Sequence, residues 1–177
     1  PYLNLTLDDE DSLSARLMQN LPDTVAMQGD GKEVFDVAVI RLKHISNFTD
    51  FIPFEQIRNV SVRYVNKPEE LGEPDLIILP GSKNTIKDLR CIKANGLAEL
   101  VTGKAEEGGC VIGICGGYQM LGKSITGPHD TESGGCEDGL GLLPVTTVLE
   151  EEKTTRNVSR RISGATGILS GLSGLIA

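Results

Sequence analysis

Four short apolar runs, rich in β-branched residues and bounded by turn-forming residues, most constrain the fold of this chain. They are residues 37–40, 60–65, 76–79 and 110–114. Continuous apolar runs of this length are typical of strands buried on both faces, as in parallel sheets. Helical patterns separate them, at about residues 50–57, 85–94 and 97–107. The alternation predicts an α/β fold, with a mostly parallel sheet and helices on both faces.

The two ends of the chain have a different composition. Residues 1–35 combine an acidic cluster with one possible short helix at 12–19, and we interpret them as a linker that precedes a domain at 36–177. After Leu121 the pattern loosens into a glycine-rich loop, and later strands are predicted at 145–149 and 156–162. Because the chain starts without Met and ends in a run of small residues, we expect a domain that is incomplete at its C-terminus.

Composition excludes several classes of protein. The chain has 177 residues, 39% of them hydrophobic, which is enough for one core. With 17 Lys and Arg against 25 Asp and Glu, the net charge is -8, so a nucleic-acid partner is not expected. No apolar run reaches the roughly 18 residues of a spanning helix, so no membrane partner is expected either. The chain is too large and too apolar to need disulfides, and its four cysteines lack C-x-x-C spacing, so reduced thiols and no metal site are expected. Since the first residues also lack a signal-peptide cleavage site, we expect a cytoplasmic location.

The turn after the fourth predicted strand carries the candidate chemistry. Gly113-Ile-Cys115-Gly116-Gly117 is the thiol counterpart of the G-x-S-x-G elbow, in which a strained turn presents a nucleophile above the sheet edge. Flanking glycines are needed there because a Cβ would collide with the adjacent strand and helix. The start of the following helix favours the thiolate of Cys115, and the N–H of Gly116 could hold an oxyanion.

A second turn follows the third predicted strand, at Pro80-Gly81-Ser82. Ligands bind at the carboxyl ends of parallel strands, so Gly81 is a candidate second oxyanion donor; an ordinary strand-to-helix turn explains the same residues equally well. The segment lacks the complete phosphate-loop pattern, and nucleotide binding is not indicated. The remaining cysteines lack the glycine frame: Cys91 and Cys110 are predicted in core or surface positions, and Cys136 in a loop.

Residues 113–122 resemble the nucleophile motif of the class I (triad) glutamine amidotransferases, in the branch found in cobalamin-pathway amidases. Three further stretches, at 45–51, 79–89 and 139–145, are similar to the cobyric acid synthase family, and the resemblance extends over about residues 1–150. It implies a flavodoxin-like glutaminase domain that follows an ATP-binding synthetase domain in one polypeptide.

The resemblance also implies the reaction and its residues. Glutamine is hydrolysed at Cys115, with Gly116 and Gly81 as oxyanion donors and with Gln119 and Ser82 at the glutamine pocket. The ammonia passes to the synthetase domain, which amidates adenosylcobyrinic acid a,c-diamide at positions b, d, e and g with ATP and Mg²⁺. The corrinoid contacts belong mostly to that domain, and no cofactor is implied for the present chain.

A cysteine amidase needs a base, normally a histidine. The chain has only His44 and His129. Neither matches the position of the family's catalytic histidine, which we expect beyond Ala177. We therefore expect little or no glutaminase activity from the chain alone.

Other functions share parts of this pattern. A sister amidotransferase, either cobyrinic acid a,c-diamide synthase or a cell-wall amidating glutaminase, would carry the same elbow; residues 46–50 favour the cobyric acid synthase family. A non-catalytic module that docks on a synthetase, and a thiol hydrolase or chaperone of similar fold, are further alternatives. High reactivity of Cys115 toward a glutamine-mimicking electrophile would distinguish an enzyme from a module.

Overall fold

The computed structural model describes residues 34–127, 134–152, 157, 159, 161–164 and 174. Its main sheet has four parallel strands in the order β2-β1-β3-β4. They are β1 (Phe35–Ile40), β2 (Val60–Val65), β3 (Leu76–Leu79) and β4 (Cys110–Gly113). The parallel sheet is thus confirmed, and each of its four strands agrees with one of the four predicted apolar runs to within two residues at either end.

The helices connect these strands. A 3-10 turn (Phe48–Phe51) leads into α1 (Ile52–Glu55), and a second 3-10 turn (Pro68–Glu70) follows β2. Two longer helices, α2 (Thr85–Ala94) and α3 (Leu97–Glu106), precede β4, and α4 (Gly116–Met120) follows it. The helix predicted at 50–57 is instead a 3-10 turn and a single α-turn, since Pro53 has no N–H to continue a helix from the preceding turn.

Side chains on the two faces of the sheet bury separate clusters, because successive strand residues point in opposite directions. On one face Ala38, Ile40 and Leu79 pack with the apolar stripes of α2 and α3. On the other face Val39 and Ile78 pack with Phe51 of the first 3-10 turn. Helical segments therefore cover both faces, as the alternation predicted.

A second, smaller sheet follows α4, with strands in the order β6-β5-β7. They are β5 (Ser124–Gly127), β6 (Gly135–Asp138) and β7 (Thr146–Val148). The predicted strand at 145–149 is confirmed by β7, whereas the prediction of a glycine-rich loop is wrong for β5 and β6. Cys136 accordingly lies in a strand and not in a loop. These strands are short and have no apolar run; β6 is held against α2 by tertiary ion pairs of Glu137.

Some predictions fall outside the described residues. These are the helix at 12–19 with the rest of the proposed linker up to residue 33, most of the strand at 156–162, and His129. Across the described part of the chain, no helix is long and apolar enough to cross a membrane.

Candidate active site

Cys115 lies on the turn between β4 and α4, with its side chain exposed to solvent. Its backbone has φ of 49° and ψ of -109°. Among the described residues other than glycine, only Asn59 shares a positive φ, and asparagine tolerates that region well. A cysteine in this region is strained at a cost of about 1–3 kcal/mol, which persists only when the surrounding structure enforces it. The backbone thus has the elbow conformation that the glycine pattern predicted.

Close packing on both sides of the turn enforces this strain. A Cβ on Gly113 would lie 2.6 Å from the backbone N of Tyr118. A Cβ on Gly117 would lie 2.0 Å from the carbonyl oxygen of Leu79. The obstacles are backbone atoms of α4 and β3, so only glycine fits at either position. The steric reason given for the flanking glycines is therefore confirmed.

The turns after β3 and β4 lie against each other. A Cβ on Gly81 would lie 3.7 Å from the Cβ of Cys115, and one on Gly116 would lie 2.9 Å from the backbone N of Ser82. Gly81 and Gly116 are buried, and within the described residues neither N–H has a hydrogen-bond acceptor. Backbone N–H groups at buried positions are nearly always paired, so these two, on turns that pack against each other, are candidate donors to a ligand.

Ser82 lies in this turn, but its side chain is turned into the protein. Its hydroxyl donates to Oδ2 of Asp88 at 2.7 Å and accepts the backbone N–H of Asn84 at 2.9 Å. The Ser82 hydroxyl is therefore already engaged in the chain. The backbone N–H of Ser82, which faces Gly116, has no acceptor among the described residues.

His44 also contacts Asp88. Its Nδ1 lies 2.7 Å from Oδ1 of Asp88, and its backbone N–H donates to Oδ2 at 3.1 Å. Since a carboxylate oxygen only accepts, Nδ1 carries the proton of this bond. The His44 side chain is 29% exposed, while Asp88 is completely buried.

Sequence reasoning missed Asp88 and Ser46. Asp88 shares the buried face of α2 with Thr85, Leu89 and Ile92, and this i, i+3, i+4, i+7 spacing was a signal that an acidic side chain points inward. Ser46 was named only within the family-like segment 45–51. Its backbone N–H donates to the carbonyl oxygen of Gly81 at 3.0 Å, and a Cβ on Gly81 would lie 2.3 Å from its Oγ.

Gln119, the other predicted pocket residue, lies half-buried on α4. Its Oε1 is 3.5 Å from Oγ1 of Thr85, which places it beside the turn after β3. The other three cysteines are free and lie elsewhere: Cys91 on α2 and Cys136 on β6 are exposed, and Cys110 is partly buried at the start of β4. No group of three potential metal ligands occurs in the described part of the chain.

An exposed thiol on a strained strand-to-helix turn, at the carboxyl end of a parallel sheet, defines an α/β protein with the turn geometry in which other enzymes carry a nucleophile. Residues 36–172 match the CobB/CobQ-like glutamine amidotransferase domain, and the chain belongs to this family.

Named relatives agree with this assignment. The chain is 48% identical over 174 residues to cobyric acid synthase of Ruminiclostridium cellulolyticum, and 44% identical over 174 residues to that of Lachnoclostridium phytofermentans. Each match covers 98% of this chain and 32% of the relative, so the chain spans about a third of the length of these proteins. Among solved structures it is similar to PurLQS of Thermotoga maritima, with a TM-score of 0.43 and 22% identity over 51% of this chain and 43% of that chain.

Proposed function

We propose that this chain is the glutaminase domain of a cobyric acid synthase and that Cys115 is its nucleophile. The observation that carries the proposal is the position of the thiol: it is exposed on a strained turn that packs against Gly81, and the N–H groups of Gly81 and Gly116 have no acceptor among the described residues. Family membership and the relatives' names support the substrate assignment.

In the proposed reaction the sulfur of Cys115 attacks the side-chain amide carbon of glutamine. The carbonyl oxygen becomes an oxyanion, which the N–H groups of Gly116 and Gly81 stabilise. When the tetrahedral intermediate collapses, the C–N bond breaks and ammonia leaves with the proton taken from the thiol, so a γ-glutamyl thioester remains on Cys115. Attack by water then releases glutamate and restores the thiol.

The two predicted pocket residues contribute differently in this proposal. Gln119 forms part of the wall beside the turn after β3, where its side chain already meets Thr85. The hydroxyl of Ser82 is occupied by Asp88, so Ser82 would contact substrate through its backbone N–H.

The base is a further part of the proposal. His44 is the one histidine in the described residues, and its Nδ1 is held by Asp88. We propose that another histidine of the parent synthase assists the thiol, and we expect this chain alone to turn glutamine over slowly.

The rest of the pathway lies in the parent protein. We propose that residues 1–35 connect to a synthetase domain, in which ATP and Mg²⁺ drive amidation of adenosylcobyrinic acid a,c-diamide at b, d, e and g with the released ammonia. The greater length of the relatives supports a second domain. The four unpaired cysteines suit the reducing cytoplasm.

The test is alkylation by 6-diazo-5-oxo-norleucine, a glutamine mimic, of the parent synthase that supplies the histidine, followed by mass mapping of the modified cysteine; the chain alone should react much more slowly at Cys115. We expect an adduct on Cys115 that excess glutamine prevents, and none on Cys91 or Cys136, which are exposed controls in the same chain. Iodoacetamide, which does not mimic glutamine, should modify all three. Equal modification of the three cysteines by the mimic, or none at Cys115, would contradict the proposal.

A further inference from the structure

Asp88 is a buried acidic residue that joins the loop after β1 to the turn after β3, which lies beside the candidate nucleophile. Its carboxylate is fully buried and accepts hydrogen bonds from the hydroxyl of Ser82 and from the ring and the backbone of His44. We propose that Asp88 is a positioning residue of the glutaminase site, which holds the turn after β3 so that the N–H of Gly81 meets the oxyanion. This inference rests on the proposed function.

Because Asp88 is buried, loss of these hydrogen bonds would be costly in free energy. A buried carboxylate is strongly destabilising unless donors replace the water it has lost. Here the donors are three, at 2.7, 2.7 and 3.1 Å, and two of them come from a residue 44 positions away. Releasing the loops would leave this carboxylate without partners, so the carboxylate keeps both loops in place.

The turn that carries Gly81 is held from both sides. On one side it pairs with the loop after β1, through Ser46 N–H to the Gly81 carbonyl at 3.0 Å and Lys83 N–H to the His44 carbonyl at 2.8 Å. On the other side the Ser82 hydroxyl links Asp88 to the backbone N–H of Asn84. Ser82, the residue after Gly81, is thus anchored by its side chain to α2, and this restrains the turn on which the proposed oxyanion donor lies.

Positioning matters because an oxyanion donor acts only when it already points at the place where charge develops. Asp88 does not touch the substrate in this proposal and acts through Ser82. A purely structural Asp88 would influence the stability of the fold without affecting how Cys115 distinguishes a glutamine mimic from a simple alkylating agent.

The experiment compares two alkylation rates at Cys115 in the parent synthase that contains this 177-residue chain. One reagent is 6-diazo-5-oxo-norleucine, whose carbonyl group needs the oxyanion donors, and the other is iodoacetamide, which does not. Asp88→Asn places an amide N–H₂ opposite one of the existing donors, whereas Ser82→Ala removes both the hydrogen bond to Asp88 and the one from the Asn84 N–H. The control is Glu137→Gln, which removes an acidic contact to Arg90 and Lys93 on the same helix, α2, far along the chain from both loops.

We expect Asp88→Asn and Ser82→Ala to slow alkylation by the mimic at least about tenfold while the iodoacetamide rate stays within about twofold. Glu137→Gln should leave both rates unchanged. If Asp88→Asn does not fold, as judged by circular dichroism, Ser82→Ala carries the test. Equal slowing of both reagents, or an unchanged mimic rate in folded Ser82→Ala, would overturn the inference. Absence of selective alkylation in the unsubstituted parent synthase would instead refute the proposed function.

Discussion

The Cα of Gly117 packs against the carbonyl oxygen of Leu79, so closely that a Cβ on Gly117 would lie 2.0 Å from that oxygen. The same oxygen accepts the backbone N–H of Ile114 at 2.9 Å, which fixes it within the sheet. The first turn of α4 can therefore approach β3 only through a residue without a side chain. This contact places Cys115 above the carboxyl end of the sheet.

Gly117→Ala should destabilise the chain by more than about 2 kcal/mol, because a backbone atom of β3 cannot move aside as a side chain can. The measurement is urea-induced unfolding followed by circular dichroism. Gly103→Ala is the matched control: Gly103 lies inside α3 with nothing within 4 Å of the added Cβ. It should stabilise the chain by about 0.5–1 kcal/mol, since alanine favours the helix. Similar effects of the two substitutions would refute this account of the elbow.

The strain at Cys115 can be measured by comparing two substitutions that both remove the thiol. Glycine adopts φ of 49° without strain and alanine does not, so Cys115→Gly should be more stable than Cys115→Ala by about 1–2 kcal/mol. At Cys91, inside α2, the order should reverse by about 1 kcal/mol. Unfolding free energies of the four variants test this. An alanine variant at 115 as stable as the glycine variant would show that the turn is unstrained.

Glu137 links β6 to α2 through Arg90 and Lys93, at 2.8 and 2.7 Å. Burial raises the pKa of Glu137, but the hydrogen bonds and charges of Lys93 and Arg90 outweigh this and hold the pKa below its usual value. A lowered folded-state pKa contributes stability above the unfolded pKa of about 4.3, and this is lost as the pH falls through the folded pKa.

Glu137→Gln should therefore cost less than about 1 kcal/mol at pH 7, because the site is partly solvated, and the difference should shrink as the pH falls below the unfolded pKa of about 4.3. Denaturant titrations of both proteins at several pH values measure it. A difference that stays constant down to low pH would exclude the ion pairs as its cause.

Tyr64 should ionise at an unusually high pH. Burial, and to a smaller extent the charge of Glu55, raises its pKa to about 12. Because an unfolded tyrosine ionises near pH 10, stability should be present below about pH 10 and fall as the pH rises from there through 12. Rapid pH jumps monitored by phenolate absorbance should show a component that titrates near pH 12 and that Tyr64→Phe removes. The variant keeps the edge-on ring contact with Phe51, at 6.4 Å between ring centres, so it should remain folded. A component near pH 12 that persists in this variant would contradict its assignment to Tyr64.

Much of the fold could be predicted because its signals are local. The apolar run at 76–79 coincides with β3, which is buried throughout, so it could be recognised without partner information. The run at 60–65 coincides with β2, which is an edge strand and only partly buried, so its β-branched residues and not full burial identified it. The elbow at Cys115 was predictable for a similar reason: glycines at 113, 116 and 117 report backbone crowding directly. The strands β5 and β6 were not predictable in this way. Ser124 and Thr126 alternate with a single apolar Ile125, and the pairing depends on a hairpin partner and on ion pairs with α2.

The sequence by itself determined the parallel sheet, its covering helices and the glycine-framed cysteine, because apolar periodicity and glycine placement are properties of neighbouring residues. Only the tertiary structure decided that Asp88 binds His44, that Ser46 lies over Gly81, and that the turn of Gly81 packs against Cys115. These contacts join residues that are far apart in the chain. They depend on strand order and register, which bring the ends of β1, β3 and β4 to one edge of the sheet.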